Sequence, residues 1–60
     1  MMNHLPNDPM LCLSVVNTKL RDCYANLDEL CINMNVEKDS LVIKLQSIGY
    51  EYDFAQNQFI

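Results

Sequence analysis

The fold is decided by the run Leu41-Val42-Ile43-Lys44-Leu45-Gln46-Ser47-Ile48-Gly49-Tyr50-Glu51-Tyr52-Asp53. In its first part, apolar residues recur at the three- and four-residue spacing of a helix and stop at Gly49, the only glycine of the chain. After Gly49 the side chains alternate with a period of two, which is typical of a strand. A change of period at a glycine indicates that a helix ends and a strand begins. Residues 53–57 then leave room for a turn before a second strand returns over 57–60.

Upstream of this run, two capping signals predict two more helices. Asp8 is a suitable N-cap and Pro9 suits the first helical position, so the first helix is expected over 8–22. Asn26 with Glu29 three residues later resembles a capping box, which places a second helix over 26–34. The third helix is expected over 37–48, and the hairpin strands over 50–53 and 57–60. Residues 1–7 are expected to form an extended leader, because Pro6 and Pro9 disfavour helical angles in the residues before them.

The predicted fold class is α+β, mostly α. The chain is expected to form a single domain over 1–60, a three-helix bundle of helix-turn-helix type with a C-terminal two-stranded β-hairpin in the position of a wing. Sixty residues bury a small core, so stability is marginal and self-association is expected. Some scaffolds of this type bind DNA and others bind protein partners, so the scaffold does not decide the function.

Helical periodicity also predicts the core. The residues expected to face inward are Cys12, Leu13, Val16, Leu20 and Cys23 from the first helix, Leu27, Leu30, Cys31 and Met34 from the second, and Leu41, Val42, Leu45 and Ile48 from the third. From the hairpin, Tyr50 and Tyr52 are expected to face the helices and Phe59 to pack back on them. Asn57 is the candidate for a left-handed turn residue. Asn17, at the edge of the buried arc, is expected to hold the leader or the Tyr50–Tyr52 strand through its amide.

Charge and cysteine usage limit the partners and the compartment. Eight acidic and four basic residues give a net charge of −4, which argues against nucleic acid as the main partner. The apolar run from Met10 to Val16 is interrupted by Ser14 and follows an acidic residue, so neither a membrane span nor a signal peptide is expected. The three cysteines lack the spacing of a disulfide framework and are expected to be reduced. These features favour a cytoplasmic protein.

Several segments together carry a family resemblance, namely Leu5-Pro6-Asn7-Asp8-Pro9, Val16-Asn17-Thr18-Lys19-Leu20-Arg21-Asp22, Leu27-Asp28-Glu29-Leu30-Cys31, Ser47-Ile48-Gly49-Tyr50-Glu51-Tyr52 and Asn57-Gln58-Phe59. With them the chain resembles a small bacterial family, domain of unknown function 4250, over nearly its whole length. The resemblance implies a bacterial origin. It implies no catalytic residue and no activity.

No catalytic, cofactor-binding or metal-binding residue is expected. His4 with Cys12, Cys23 and Cys31 contains the ligand types of a Cys3His zinc site, but structural zinc sites pair their ligands at short spacing and these residues are far apart. A cysteine nucleophile would need a positioned base, and His4 lies in the leader. Packing of the thiols in the core is the favoured interpretation. Neither an enzyme nor a small-molecule substrate is expected.

Binding to another protein would explain apolar side chains that the three-helix core does not obviously need. Leu11 and Val15 fall outside the buried arc of the first helix, and Ile43 falls outside that of the third. The second hairpin strand, near the end of the chain, offers an edge that another copy or a peptide can pair with. The sequence therefore favours a noncatalytic interaction or regulatory module, expected to be a homodimer. The alternative is that the leader, through Leu5 and Met10, covers these side chains.

The second functional hypothesis is a miniature winged helix-turn-helix regulator that binds DNA. The third helix would be the recognition helix, with Lys44, Gln46 and Ser47 facing bases or phosphate. However, residues 37–48 carry no net charge, and the hairpin adds only acidic residues. A dimer could concentrate Lys19 and Arg21 of the first helix, so the hypothesis remains open.

Overall fold

The computed structural model describes residues 5–60, so His4, which the sequence disfavours as a zinc ligand or catalytic base, lies outside the described residues. Three helices are followed by a two-stranded antiparallel sheet: α1 (Pro9–Asp22), α2 (Leu27–Met34), α3 (Lys38–Gln46), β1 (Tyr52–Asp53) and β2 (Gln58–Phe59). The predicted fold class, three helices with a C-terminal hairpin in a mostly helical α+β chain, is confirmed. No helix within the described part of the chain is long and apolar enough to cross a membrane.

The first two helices begin at the expected caps. The Asp8 carboxylate accepts a hydrogen bond of 3.1 Å from the Met10 N–H, and Pro9 occupies the first helical position. The Asn26 side chain accepts a hydrogen bond of 2.8 Å from the Glu29 N–H. These bonds satisfy N–H groups that have no partner inside the helix. The sequence predictions for both helix starts are therefore confirmed.

Left-handed residues end α2 and α3. Asn35, at φ +55°, follows α2, and the Val36 N–H bonds back to the Cys31 carbonyl at 2.9 Å. Gly49, at φ +85°, follows α3, and the Tyr50 N–H bonds back to the Leu45 carbonyl at 3.0 Å. Both are Schellman-type closures that satisfy the last carbonyls of a helix. The regular part of α3 ends at Gln46 rather than at residue 48, because the chain tightens into this closure.

The hairpin has a fixed register in which Tyr52 pairs with Phe59 and Asp53 pairs with Gln58. Its strands are shorter than the predicted 50–53 and 57–60. The pairing nevertheless continues one step beyond them, since Glu51 and Ile60 exchange backbone hydrogen bonds of 2.9 and 2.8 Å. Asn57 has φ +54°, which confirms its predicted left-handed conformation in the turn.

The core lies where the helices meet the inner face of the hairpin. The buried residues are Cys12, Leu13, Val16, Leu20, Leu27, Leu30, Cys31, Met34, Leu41, Leu45 and Phe59. Val42, Ile48, Tyr50 and Tyr52 pack against this cluster and remain partly exposed. The sequence pattern predicted all of these positions, but Cys23 is exposed and its predicted burial is wrong. Cys23 is the C-cap of α1 and leaves helical geometry, at φ −123°, so the helical wheel does not apply to it.

Candidate interaction surfaces

Asn17 joins α1 to the second hairpin strand. Its amide donates a hydrogen bond of 3.1 Å to the Phe59 carbonyl and accepts one of 2.8 Å from the Phe59 N–H. Because Glu51 and Ile60 form a hydrogen-bonded pair, the backbone groups of the next residue, Phe59, point away from β1. The Asn17 side chain therefore takes the place of a neighbouring strand. The expectation that Asn17 holds the leader or the Tyr50–Tyr52 strand is corrected, since its partner is β2.

The same contact corrects the prediction that the edge of β2 is unprotected. At Phe59 that edge faces α1 and its backbone groups are bonded to Asn17. The Phe59 side chain is 2% exposed and belongs to the core. A second copy or a peptide cannot add to this edge without displacing α1. The edge of the hairpin that can accept a partner is therefore on β1.

Asn57 makes a second connection between the hairpin and α1. Its amide donates to the Leu20 carbonyl at 3.1 Å and to the Tyr24 carbonyl at 3.2 Å. Its oxygen accepts a hydrogen bond of 2.6 Å from the Tyr52 hydroxyl. The side chain thus satisfies carbonyls at the end of α1 while its backbone forms the turn of the hairpin. Sequence reasoning identified its conformation but not this capping role, which depends on tertiary placement.

Asn17 and Asn57 both line a groove of about 730 Å³ between α1 and the hairpin. The groove also contains Ser14 and Thr18 from α1 and Gln56 from the turn. The two asparagine amides already bond to the backbone, and the Arg21 guanidinium on the same wall bonds to Asp22 at 2.9 and 3.1 Å. Asn17 and Asn57 therefore stabilise the fold, and the Arg21 guanidinium is engaged by Asp22.

Several large apolar side chains stay exposed on the surface. On α1, Leu11 is 58% exposed, whereas Val15 is partly buried. On α3, Ile43 is 64% exposed. Leu5 packs against the core, but Met10 is itself mostly exposed, so within residues 5–60 the leader does not cover Leu11 or Ile43. Two of the three predicted partner-binding side chains are therefore prominent on the surface.

The hairpin carries a further apolar surface that sequence reasoning missed. Phe54 is 83% exposed, and its ring lies edge-on to Tyr52 with the ring centroids 6.2 Å apart. Ile60 is 52% exposed. Together with Gly49 and Glu51, these residues line a depression of about 430 Å³. The available signal was a phenylalanine inside the predicted turn, where polar residues are usual.

Of the three residues expected to contact DNA, only Lys44 differs from its predicted outward position. The Lys44 ammonium bonds to the Pro6 carbonyl at 3.4 Å and its side chain is partly buried, so it does not face outward. Gln46 and Ser47 are exposed, and the Ser47 hydroxyl donates to the Lys44 carbonyl. Lys38 forms an ion pair of 2.8 Å with Asp28 across α2 and α3, which raises the pKa of Lys38. Three of the four basic side chains, Lys44, Lys38 and Arg21, thus have intramolecular partners.

The cysteines do not form a reactive or metal-binding cluster. Burial raises the pKa of the Cys12 thiol, although the nearby Lys44 charge lowers it in part. Burial likewise raises the pKa of Cys31. Reactive thiols have lowered pKa values, so both behave as small apolar core residues. Over residues 5–60 no group of three potential ligands is close enough to hold a metal ion.

The chain belongs to the family described as Domain of unknown function (DUF4250), whose family model matches residues 6–59. The predicted family resemblance is therefore confirmed over nearly the whole chain. Comparison with curated proteins and comparison with solved structures find no match.

Proposed function

We propose that this member of the DUF4250 family is a noncatalytic protein-interaction or regulatory module that acts by self-association or by binding a protein partner. The observation that carries the proposal is the exposure of large apolar side chains on every helix and on the hairpin: Met10, Leu11, Ile32, Ile43, Phe54 and Ile60. A partner that covered some of these side chains would remove apolar area from water, which favours binding.

For self-association, the proposed surface is the outer side of α1 and α3, with Leu11, Val15 and Ile43. Leu11 and Val15 are one helical turn apart on α1, and Ile43 lies on a helix that packs against α1. A symmetric dimer through this surface would remove the exposed parts of Leu11, Val15 and Ile43 from water. The proposal places the protein in the cytoplasm, where three cysteines without disulfide bonds are expected to stay reduced.

The DNA-binding alternative has less support. Binding to phosphate needs cations that are free to pair with it, but Lys44 bonds to Pro6, and the exposed Lys38 and Arg21 are already paired with carboxylates. The net charge of −4 also opposes approach to DNA. Gln46 and Ser47 remain exposed on α3, so the experiment below includes duplex DNA.

The test is the solution mass by light scattering at low and high salt, with and without mixed-sequence duplex DNA. A dimer built on apolar contacts is expected to persist at high salt, and its mass should not change when DNA is added. Replacing Leu11 and Val15 with glutamate should shift the mass to that of a monomer, because it places two carboxylates in the apolar contact. Ser14→Glu with Thr18→Glu is the matched control, since it adds the same charge at the same spacing on exposed positions of α1.

A mass that is unchanged by the Leu11 and Val15 substitutions would contradict this dimer surface. A salt-sensitive complex with DNA that is lost on replacing Lys44 and Gln46 with alanine would overturn the proposal in favour of DNA binding. If the protein is monomeric under all conditions, the proposal depends on partner binding alone, and the peptide experiment of the next subsection decides it.

A further inference from the structure

The backbone of Tyr52 faces outward on the free side of β1. Tyr52 pairs with Phe59, and this pair lies next to the hydrogen-bonded pair of Glu51 and Ile60. In an antiparallel ladder the two types of pair alternate, so the N–H and C=O of Tyr52 point away from β2. The equivalent groups of Phe59 also point outward and are bonded to Asn17. Among the residues that the structure describes, none forms a hydrogen bond with the outward N–H or C=O of Tyr52.

Apolar side chains lie beside this edge. Phe54 follows β1 directly and, among residues 5–60, is the most exposed of the large apolar side chains. Phe54, Tyr52 and Ile60 line the depression of about 430 Å³ together with Gly49 and Glu51. A segment that paired with Tyr52 would therefore place one of its side chains against the Phe54 ring. Strand addition combines backbone hydrogen bonds with side-chain pockets in this way.

The charge beside the edge is entirely negative. Glu51 and Asp53 flank Tyr52, and residues 47–60 include no lysine or arginine. The Asp53 carboxylate accepts hydrogen bonds from the Ala55 and Gln56 N–H groups, which fixes it at the start of the turn. The exposed Phe54 ring can also accept a cation on its face. Charge complementarity therefore favours a basic partner, whereas a second copy of this chain would bring the same acidic residues.

We propose that the outer edge of β1 is a docking site for an extended basic segment of a partner protein. One residue of the segment exchanges two hydrogen bonds with the backbone of Tyr52. Arginine or lysine side chains on either side of it contact Glu51, Asp53 and the Phe54 ring. The inference rests on the partner-binding form of the proposed function and adds the chemistry of the partner and the surface that binds it.

The test uses a blocked nonapeptide of alternating valine and arginine, titrated into the ¹⁵N-labelled protein while amide chemical shifts are recorded. We expect saturable binding with the largest shifts at residues 51–54. A peptide of alternating valine and glutamate should not bind. The arginine peptide carrying N-methyl groups on alternate residues keeps its charge but loses backbone donors, and it is expected to bind about tenfold more weakly.

Two variants locate the site on the protein. Phe54→Ala is expected to weaken binding about tenfold, and Glu51→Gln should weaken it and reduce its dependence on salt. Ile32→Ala is the control, because Ile32 is also an exposed apolar residue but lies on α2, outside both proposed surfaces. The shift map of the wild-type protein tests the site even if a variant misfolds.

Absence of binding, equal binding of the N-methylated peptide, or shifts centred away from 51–54 would overturn the inference. Shifts at 51–54 that appear on concentrating the protein alone would show that a second copy occupies the edge, which also overturns it. In each of these cases, a wild-type dimer that the Leu11 and Val15 substitutions dissociate would still support the proposed function. If the wild-type protein forms neither the dimer nor the peptide complex, the proposed function is overturned as well.

Discussion

At the residue scale, Asn17 and Asn57 replace bonds that regular secondary structure would normally supply. Asn17 pairs with both backbone groups of Phe59, as a neighbouring strand would. Asn57 bonds to the Leu20 and Tyr24 carbonyls at the end of α1. A two-stranded hairpin is not stable alone in water, so these amides and the burial of Phe59 fix its position. Both asparagines therefore have structural roles that account for their positions in the groove between α1 and the hairpin.

Replacing Asn17 with alanine is expected to lower the free energy of unfolding by about 1–3 kcal/mol, because the partly buried N–H and C=O of Phe59 would lose their partners. Urea unfolding followed by circular dichroism measures the change. Asn33→Ala is the control, since the Asn33 amide also bonds to a carbonyl, that of Glu29, but on the exposed side of α2. It should change stability by no more than about 0.5 kcal/mol. Equal losses for the two variants would contradict the role given to Asn17.

Two substitutions of Asn57 separate its side-chain bonds from its backbone conformation. Asn57→Gly keeps the left-handed φ of +54° without strain but removes the hydrogen bonds to Leu20, Tyr24 and Tyr52. Asn57→Ala removes the same bonds and adds a side chain that disfavours this conformation, so it should be less stable than the glycine variant by about 1 kcal/mol. The difference between the two urea midpoints measures the conformational contribution. Identical midpoints would show that the turn relaxes to another conformation.

At the element scale, Gly49 sets the end of α3. Its φ of +85° is unfavourable for other residues, while a Cβ there would meet open space. Gly49→Ala should therefore destabilise the fold through backbone conformation alone, by about 1–2 kcal/mol in urea unfolding. Gln46→Ala, an exposed change in the last turn of α3, should stay within about 0.5 kcal/mol of the wild type. A neutral Gly49→Ala variant would mean that the closure of α3 adjusts without cost.

Local chemistry explains how far these elements could be predicted from the sequence. Asp8, Asn26 and Gly49 act on backbone groups a few residues away, so the corresponding helix ends were predictable. The strand edge was not, because the partner of Phe59 is Asn17, more than 40 positions away in the chain. Cys23 was misplaced because periodicity was extended past the last helical residue. Errors therefore arise where a helical pattern is extrapolated or where a distant element supplies the partner.

At the scale of the whole molecule, the candidate surfaces depend on how elements lie over one another. Helical periodicity was sufficient to predict that Leu11 and Ile43 are exposed. The same periodicity placed Lys44 outward, but Pro6 of the leader lies against it and the ammonium bonds to the Pro6 carbonyl. The Phe54 surface depends on the register of the hairpin, which the sequence alone leaves open. Outward positions were thus predictable where no second segment lies over the helix.

The two buried thiols, Cys12 and Cys31, make the domain less stable as the pH becomes alkaline. Burial raises the pKa of Cys12 and Cys31 above the ordinary value of 9.0. Above pH 9.0 the unfolded chain therefore releases protons that the folded protein keeps, and unfolding becomes more favourable. This contribution to stability is complete below pH 9.0 and declines as the pH rises toward the folded-state pKa, by at most about 1.4 kcal/mol per pH unit for each thiol.

Urea unfolding in a reducing buffer between pH 7 and 10.5 tests this dependence. Cys12→Ala with Cys31→Ala should lower stability at every pH through lost packing and should flatten the decline above pH 9, because neither variant side chain titrates. The wild type and the double variant differ in no other titratable group, so the comparison isolates these two thiols. Cys23→Ala is the control, since the exposed Cys23 is not part of the core and its removal should leave the decline unchanged. A double variant that declines as steeply as the wild type would mean that both thiols ionise as readily in the folded protein as in the unfolded chain, and would contradict their placement as buried core residues.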